Sequence, residues 1–201
     1  NLPNVRYYDN DVFGNTGELF SLFAAEPEMN GRFIFLYSDI LFDPSILEKL
    51  LKSNDDISIV VDRAWNDQKE RDTQTNRGNP DLVITNQPPE TGYRYIPSGE
   101  TANLEKIGQH VSPVDANGEF VGMAMFSPGG SSTLKNIYKD LRKRDPLAPF
   151  QQASDLREAN FTDVLQELID GGTQISCIDV YKGWLEIDTF EDYRRAWAKI
   201  Q

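Results

Sequence analysis

Two acidic residues stand where an α/β protein places its chemistry. Asp39 closes the run Phe33-Ile34-Phe35-Leu36-Tyr37-Ser38, and Asp188 closes Gly183-Trp184-Leu185-Glu186-Ile187. Each segment reads as an apolar strand that ends on an Asp and hands over to a helix. Ligands of such sheets bind outside the carboxyl ends of strands, near a topological switch point. A carboxylate there is a hard ligand suited to Mg²⁺ carrying a phosphate, and two of them, far apart in sequence, could share one ion. Strand alternation puts Trp184, Glu186 and Asp188 on one side and Leu185 and Ile187 on the other. Carboxylates gathered on one side of a strand end repel unless a cation or a proton joins them. A plainer reading stands beside this one: Asp188 helps Thr189 start a helix, Glu186 faces solvent, and Asp39 accepts backbone N–H groups of its own turn.

Other chemistries have little to work with. Cys177 is the only cysteine, so an internal disulfide and a Cys-based zinc site are both excluded. It lies within the apolar run Ile175–Val180 and reads as a buried, inert thiol. His110 is the only histidine, in an ordinary strand-to-loop setting, Gly108-Gln109-His110-Val111. Any Ser-His or Cys-His mechanism would rest on it alone. With 201 residues, 39% hydrophobic and 26% charged, the chain suits one globular domain over 1–201. A net charge of -12 offers no basic footprint for nucleic acid. It does not exclude a small phosphorylated ligand, because a bound divalent cation supplies positive charge. No segment reads as a signal peptide or a membrane span, and the cytoplasm is the expected location. The oligomeric state stays open, a homo-oligomer included.

The elements that must carry these residues alternate. Val5–Tyr8 reads as a short strand, Gly17–Ala25 as a helix, and Phe33–Tyr37 as the fully buried middle of a parallel sheet. Asp43 caps and Pro44 opens a helix with Ile46, Leu47, Leu50 and Leu51 on one face. Ile57–Val61 is the next buried strand. Residues 63–80 and 87–99 are polar connections around the strand Asp81–Thr85. Asn103–Ile107 and Phe120–Phe126 are further strands, and Gly122 marks a bulge or a close approach of backbone. Helices are expected behind Ser131-Ser132 and Thr162, the second stopped by Gly171-Gly172. The strands Ile175–Val180 and Trp184–Ile187 follow. Thr189 caps a last helix with Tyr193, Ala196, Trp197 and Ile200 on one face. The fold class is α/β: a mostly parallel, Rossmann-like sheet flanked by helices.

Tyr37-Ser38-Asp39-Ile40-Leu41-Phe42 resembles the Gly-Asp motif of sugar-phosphate and choline-phosphate nucleotidyltransferases, with Ser38 where Gly is common. Trp184-Leu185-Glu186-Ile187-Asp188-Thr189 resembles their C-terminal metal motif. Residues 15–22 and 119–127 look like further pieces of the group, so the likeness covers nearly the whole chain. It is nearest to the cytidylyltransferase-like domains associated with phosphoenolpyruvate mutase in phosphonate biosynthesis. The resemblance implies attack of a phosphate or phosphonate oxygen on the α-phosphorus of a nucleoside triphosphate, CTP foremost, with release of pyrophosphate. Asp39 and Asp188 would hold Mg²⁺, with Glu186 beside them. Thr16, Gly17 and Glu18 would lie near the base, and Glu119, Gly122, Asp179 and Tyr181 toward the acceptor. The family opens with a strand and a Gly-rich loop holding a basic residue, followed by Pro-Lys. Nothing in these residues matches that opening: Gly129-Gly130-Ser131-Ser132 comes late, lacks the basic partner and reads as a cap or loop. The sheet is therefore expected to lack its first strand. Two other functions fit the same architecture: a non-catalytic nucleotide- or ligand-binding regulatory module, and a nucleotide-sugar glycosyltransferase. Against the latter, the usual Asp-x-Asp is absent, since positions 37 and 41 are Tyr and Leu.

Overall fold

The computed structural model describes residues 4–66, 79–87 and 101–200, so most of both polar connections lies outside the described residues. Among the described residues, eight strands and five α-helices follow one another: α1 (Glu18–Ala24), β1 (Phe33–Leu36), β2 (Ile40–Phe42), α2 (Pro44–Leu51), β3 (Ile57–Asp62), β4 (Leu82–Thr85), β5 (Ala102–Gly108), β6 (Gly118–Phe126), α3 (Pro128–Leu141), α4 (Phe161–Asp170), β7 (Ser176–Val180), β8 (Trp184–Glu186) and α5 (Phe190–Ile200). The main sheet has the order β1-β6-β3-β7-β5-β4, and β4 also reaches the start of β6, so the far edge curls back.

The strands alternate between two cores. Ile57, Ile59 and Val61 face α1, α3 and α4 together with Phe120, Ala124 and Phe126. Val60, Val121, Met123 and Met125 face Ile46 and Leu50 of α2 on the opposite side. The result is a three-layer α/β/α arrangement in which both sheet faces are covered.

The sheet is mixed and mostly antiparallel, which corrects the parallel, Rossmann-like expectation. Among the described residues, only β3 and β7 pair in parallel. β6 runs antiparallel between β1 and β3, so those two strands share a direction without touching. The reason lies in the connections. A parallel neighbour needs a crossover, usually a helix, and α2 and α4 supply crossovers into β3 and β7. No described helix separates β3, β4, β5 and β6, and the pairings among these four strands, β3 with β6, β4 with β5 and β4 with β6, are all antiparallel.

β1 is also not a buried middle strand. Its one partner among the described residues is β6, and Ile34 and Leu36 are exposed. Val5–Tyr8 forms no strand: Arg6 and Tyr8 instead engage the side chain of Glu28. Two expected helix starts move. Ser127, not Ser131, caps α3 by accepting from the N–H groups of Gly129 and Gly130, so both glycines are the first helical turn and not a loop. Asn160, not Thr162, opens α4, where the Asp163 carboxylate accepts from the Asn160 N–H at 2.8 Å. Asp43 caps α2 as expected, its Oδ1 2.8 Å from the Ser45 N–H. Thr189 and Asp192 exchange side-chain and backbone bonds at the start of α5. On the expected face of α5, Ala196 is buried and Tyr193 and Trp197 are exposed, stacking with Phe190 in a ladder of rings, while the side chain of Ile200 lies outside the described residues.

A candidate metal and nucleotide site

The ribbon that gathers the carboxylates is a separate two-stranded sheet of β2 and β8. Ile40 pairs with Glu186, Leu41 with Leu185 and Phe42 with Trp184. Backbone bonds close both ends, from the Ile187 N–H to the Asp39 carbonyl and from the Asp43 N–H to the Gly183 carbonyl, both at 2.8 Å. Antiparallel pairing sets the residue before β2 against the end of β8, so Asp39, Glu186 and Asp188 meet at one end. Their carboxylate oxygens lie within 4.8 Å of one another. Asp39 therefore does not hand over directly to a helix; the unexpected strand β2 intervenes, and its pairing does the placing.

This set fits a hard divalent cation. Oxygens sharing one Mg²⁺ at roughly 2.1 Å stand about 3–4 Å apart, a span these carboxylates reach with small rotations. Asp39 and Asp188 are exposed and Glu186 is half-buried, so a ligand has access. A phosphate would complete the coordination that three side-chain oxygens leave open.

Asp62, at the end of β3, anchors the ribbon. It is wholly buried. Its Oδ1 accepts from the N–H groups of Ala64 at 2.8 Å and Lys182 at 3.0 Å, and its Oδ2 accepts from the Trp184 indole at 2.9 Å. The turn it holds is demanding, with Lys182 at φ 64 and Gly183 at φ 89. Beside it, the Arg63 guanidinium is buried between strands. It donates to Asp179 Oδ1 at 2.8 Å and, at 3.0 Å each, to Thr85 Oγ1 and to the carbonyl and side-chain oxygens of Asn117. Sequence reading missed both residues. The signal was present as a charged pair, Asp62-Arg63, directly behind five residues of buried strand.

The other candidate residues divide into groups. Asp179 lies on β7, its side chain turned to Arg63 and 28% exposed. Tyr181 is exposed in the turn behind it, and Glu119 sits on β6 opposite Asp62 and Leu82. Gly122 is a bulge, as its place in the strand suggested. Between the pairs Ile59–Ala124 and Val61–Phe120, β6 carries the extra residues. Gly122 has φ 79, its carbonyl accepts from the Tyr37 N–H at 2.9 Å, and an added Cβ would run into the Tyr37 ring.

Thr16, Gly17 and Glu18 form the start of α1. Thr16 Oγ1 accepts from Asn10 and donates to the Val12 carbonyl. Gly17 lies so close to the carbonyls of Glu158 and Ala159 that no side chain fits. Glu18 Oε2 accepts from the Tyr37 hydroxyl at 2.9 Å and from the Phe161 N–H at 3.3 Å, tying α1, α4 and the segment before Asp39 together. Burial, and then the Glu18 charge, push the Tyr37 phenol up. Asp81 is pushed up to about 7, first by burial and then by the charges of Glu18, Glu186 and Asp163. The acidic set thus extends inward from the metal candidates. Burial pushes the Cys177 thiol up to about 12, consistent with an inert cysteine.

No family model matches the chain, and no curated protein matches it. Solved structures match its fold. The inositol-1-phosphate CTP transferase of T. maritima is 20% identical with a TM-score of 0.58, over 89% of this chain and 58% of that one. A UDP-glucose pyrophosphorylase complexed with UDP-glucose is 14% identical with a TM-score of 0.59, over 93% of this chain and 64% of that one. The CTP:phosphocholine cytidylyltransferase of Streptococcus pneumoniae is 10% identical with a TM-score of 0.53, over 96% of this chain and 67% of that one. The chain therefore has a nucleotidyltransferase-like fold, and it spans under two thirds of the length of the first two proteins named. Among the described residues, no helix is long and apolar enough to cross a membrane.

Proposed function

We propose that the protein is a Mg²⁺-dependent nucleotidyltransferase. In this reading it joins the NMP part of a nucleoside triphosphate, CTP foremost, to a phosphate or phosphonate acceptor. The observation that carries the reading is the meeting of Asp39, Glu186 and Asp188 oxygens within 4.8 Å, on a fold shared with CTP transferases and pyrophosphorylases.

An acceptor oxygen supplies the electron pair for a new bond to the α-phosphorus. The bond from that phosphorus to the bridging oxygen of the β-phosphate breaks, and pyrophosphate leaves. Asp39 and Asp188, with Glu186 beside them, would hold Mg²⁺, which when bound supplies positive charge next to the reacting phosphate. The ribbon fixes where those carboxylates stand, and so the orientation of attack. No protein nucleophile is required. Thr16, Gly17 and Glu18 line the base side in this proposal. Glu119, Gly122, Asp179 and Tyr181 line the acceptor side, with Arg63 fixing Asp179. An acceptor of the kind handled by the cytidylyltransferase-like domains associated with phosphoenolpyruvate mutase belongs to the same proposal, as do a single domain over 1–201 and a cytoplasmic setting.

The test is pyrophosphate release by the full-length protein with Mg²⁺, over a panel of nucleoside triphosphates against phosphocholine, alkylphosphonates and sugar phosphates. Turnover with one pair, lost on chelation, is the expected outcome. Nucleotide binding without turnover on any acceptor would favour a non-catalytic module of the same fold. Transfer from a nucleotide-sugar would favour a glycosyltransferase, against which the missing Asp-x-Asp already counts.

A further inference from the structure

A second concave site lies on the helical side of the molecule, away from the ribbon. It is a cavity of about 210 Å³ between α1, the end of α3 and the segment leading into α4. Its apolar lining comes from Phe20, Tyr138, Leu141, Pro149, Phe150 and Leu156. Arg142, Arg144 and Arg157 also line it, with Asp145. Arg144 is occupied by Glu167 at 2.7 Å, and Asp145 accepts from the Leu147 N–H at 3.0 Å. The guanidinium groups of Arg142 and Arg157 make no hydrogen bond or ion pair with any described residue. Basic residues at the end of α3 complement the helix dipole, which accounts for Arg142. It does not account for Arg157, which comes from a different element and meets Arg142 at the same cavity. In a chain of net charge -12, two exposed arginines that line one apolar hollow without a partner among the described residues are complementary to an anion.

The geometry points to a binding site for a small organic anion: one aromatic ring or branched apolar group carrying a phosphate or carboxylate. The volume sets the size. Drug-sized ligands occupy roughly 300–1,000 Å³, so this cavity takes a single ring and not a nucleoside diphosphate. The body enters against Phe20, Tyr138 and Phe150, and the anion is held between Arg142 and Arg157, whose planar forks suit its oxygens. The proposal does not rest on the transfer reaction, although the Gly17 N–H donates to the Arg157 carbonyl at 2.7 Å and so joins the cavity to the start of α1.

The test is calorimetric titration of the full-length protein, without added metal, using phenyl phosphate, inorganic phosphate and phenol as probes. Phenyl phosphate is expected to bind at least about tenfold more tightly than either fragment, because only it uses both the apolar lining and the arginines. Arg142→Gln with Arg157→Gln should weaken it at least about tenfold. Ala148→Trp, which puts a large ring on the cavity lining, should abolish binding, and Asp188→Asn should leave it unchanged. Thermal melts confirm that each variant is folded. The proposal is overturned by no saturable binding at millimolar phenyl phosphate, by equal affinity for inorganic phosphate, or by binding that survives either cavity change. Loss of binding in Asp188→Asn would move the ligand to the carboxylate site and overturn it equally.

Discussion

Asp188 and Asp192 stand four positions apart and serve different ends. Asp188 contributes an oxygen to the carboxylate set, whereas Asp192 is buried and accepts from the N–H and hydroxyl of Thr189 at 3.0 and 2.6 Å. Asp188→Asn keeps the size of the side chain but removes the charge a cation needs. Turnover should fall roughly a thousandfold with the melting temperature kept. Asp192→Asn should cost about 1 kcal/mol of stability through the helix start and leave turnover near wild type. Near wild-type turnover in Asp188→Asn would reduce Asp188 to a helix-start residue. Asp81 offers a stability test. Its folded value, about 7, is above its unfolded value near 3.9, so the native state binds the extra proton. Stability is fully present below pH of about 4 and is lost as pH rises through about 7. Asp81→Asn should therefore stabilise by about 2–4 kcal/mol at pH 8 and by almost nothing at pH 4. Denaturant melts at the two pH values measure this, and an equal effect at both would refute it.

At the scale of elements, the site depends on a ribbon that is marginal by itself. Two paired strands of three residues each hold poorly in water, so β2 and β8 borrow order from their surroundings. Ile40 and Trp184 are buried against Val60, Val121 and Met123, and Asp62 bonds the Trp184 indole. On the other side, the β6 bulge admits Tyr37, whose hydroxyl then reaches Glu18. Gly122→Ala combines a positive φ with a clash against a packed ring. It should cost about 2–4 kcal/mol and displace the segment that leads to Asp39. Urea denaturation gives the first quantity, and weaker Mg²⁺-dependent turnover at temperatures where the variant is folded gives the second. A stability change under about 0.5 kcal/mol would mean that the bulge tolerates a side chain and does not position the ribbon.

Across the whole molecule, acidic charge and an open edge set behaviour in solution. The net charge of -12 keeps copies apart at low ionic strength and loses reach as salt screens it. β1 pairs on one side with β6 and, among the described residues, with no strand on the other, while Ile34 and Leu36 stay exposed along it. Such an edge is a template for strand addition. The 201-residue chain should therefore self-associate as salt rises, and Ile34→Lys should suppress this without changing the melt. Light scattering across a salt series is the measurement. Scattering independent of both salt and Ile34 would show that the edge is not used.

Much of the local structure was legible from short-range patterns. Periodicity in Ile57–Val61 and in residues 46–51, the Asp43-Pro44 cap, the Thr189 start and the break at Gly122 each depend on neighbours within a turn or two, so the sequence alone determined them. The meeting of Asp39 with Asp188 was readable only as a consequence of fold class, because nothing local joins residues so far apart. Strand direction, the ribbon and the exposure of β1 were decided in three dimensions. Whether Phe33–Leu36 lies in the middle or at the edge depends on which strands come beside it, and its composition is the same either way. Asp62 and Arg63 follow the same logic. A charge behind an apolar strand can face solvent or be buried, and only acceptors from residues 85, 117 and 179 for Arg63, with donors from residues 182 and 184 for Asp62, decided that these two became the buried frame of the site.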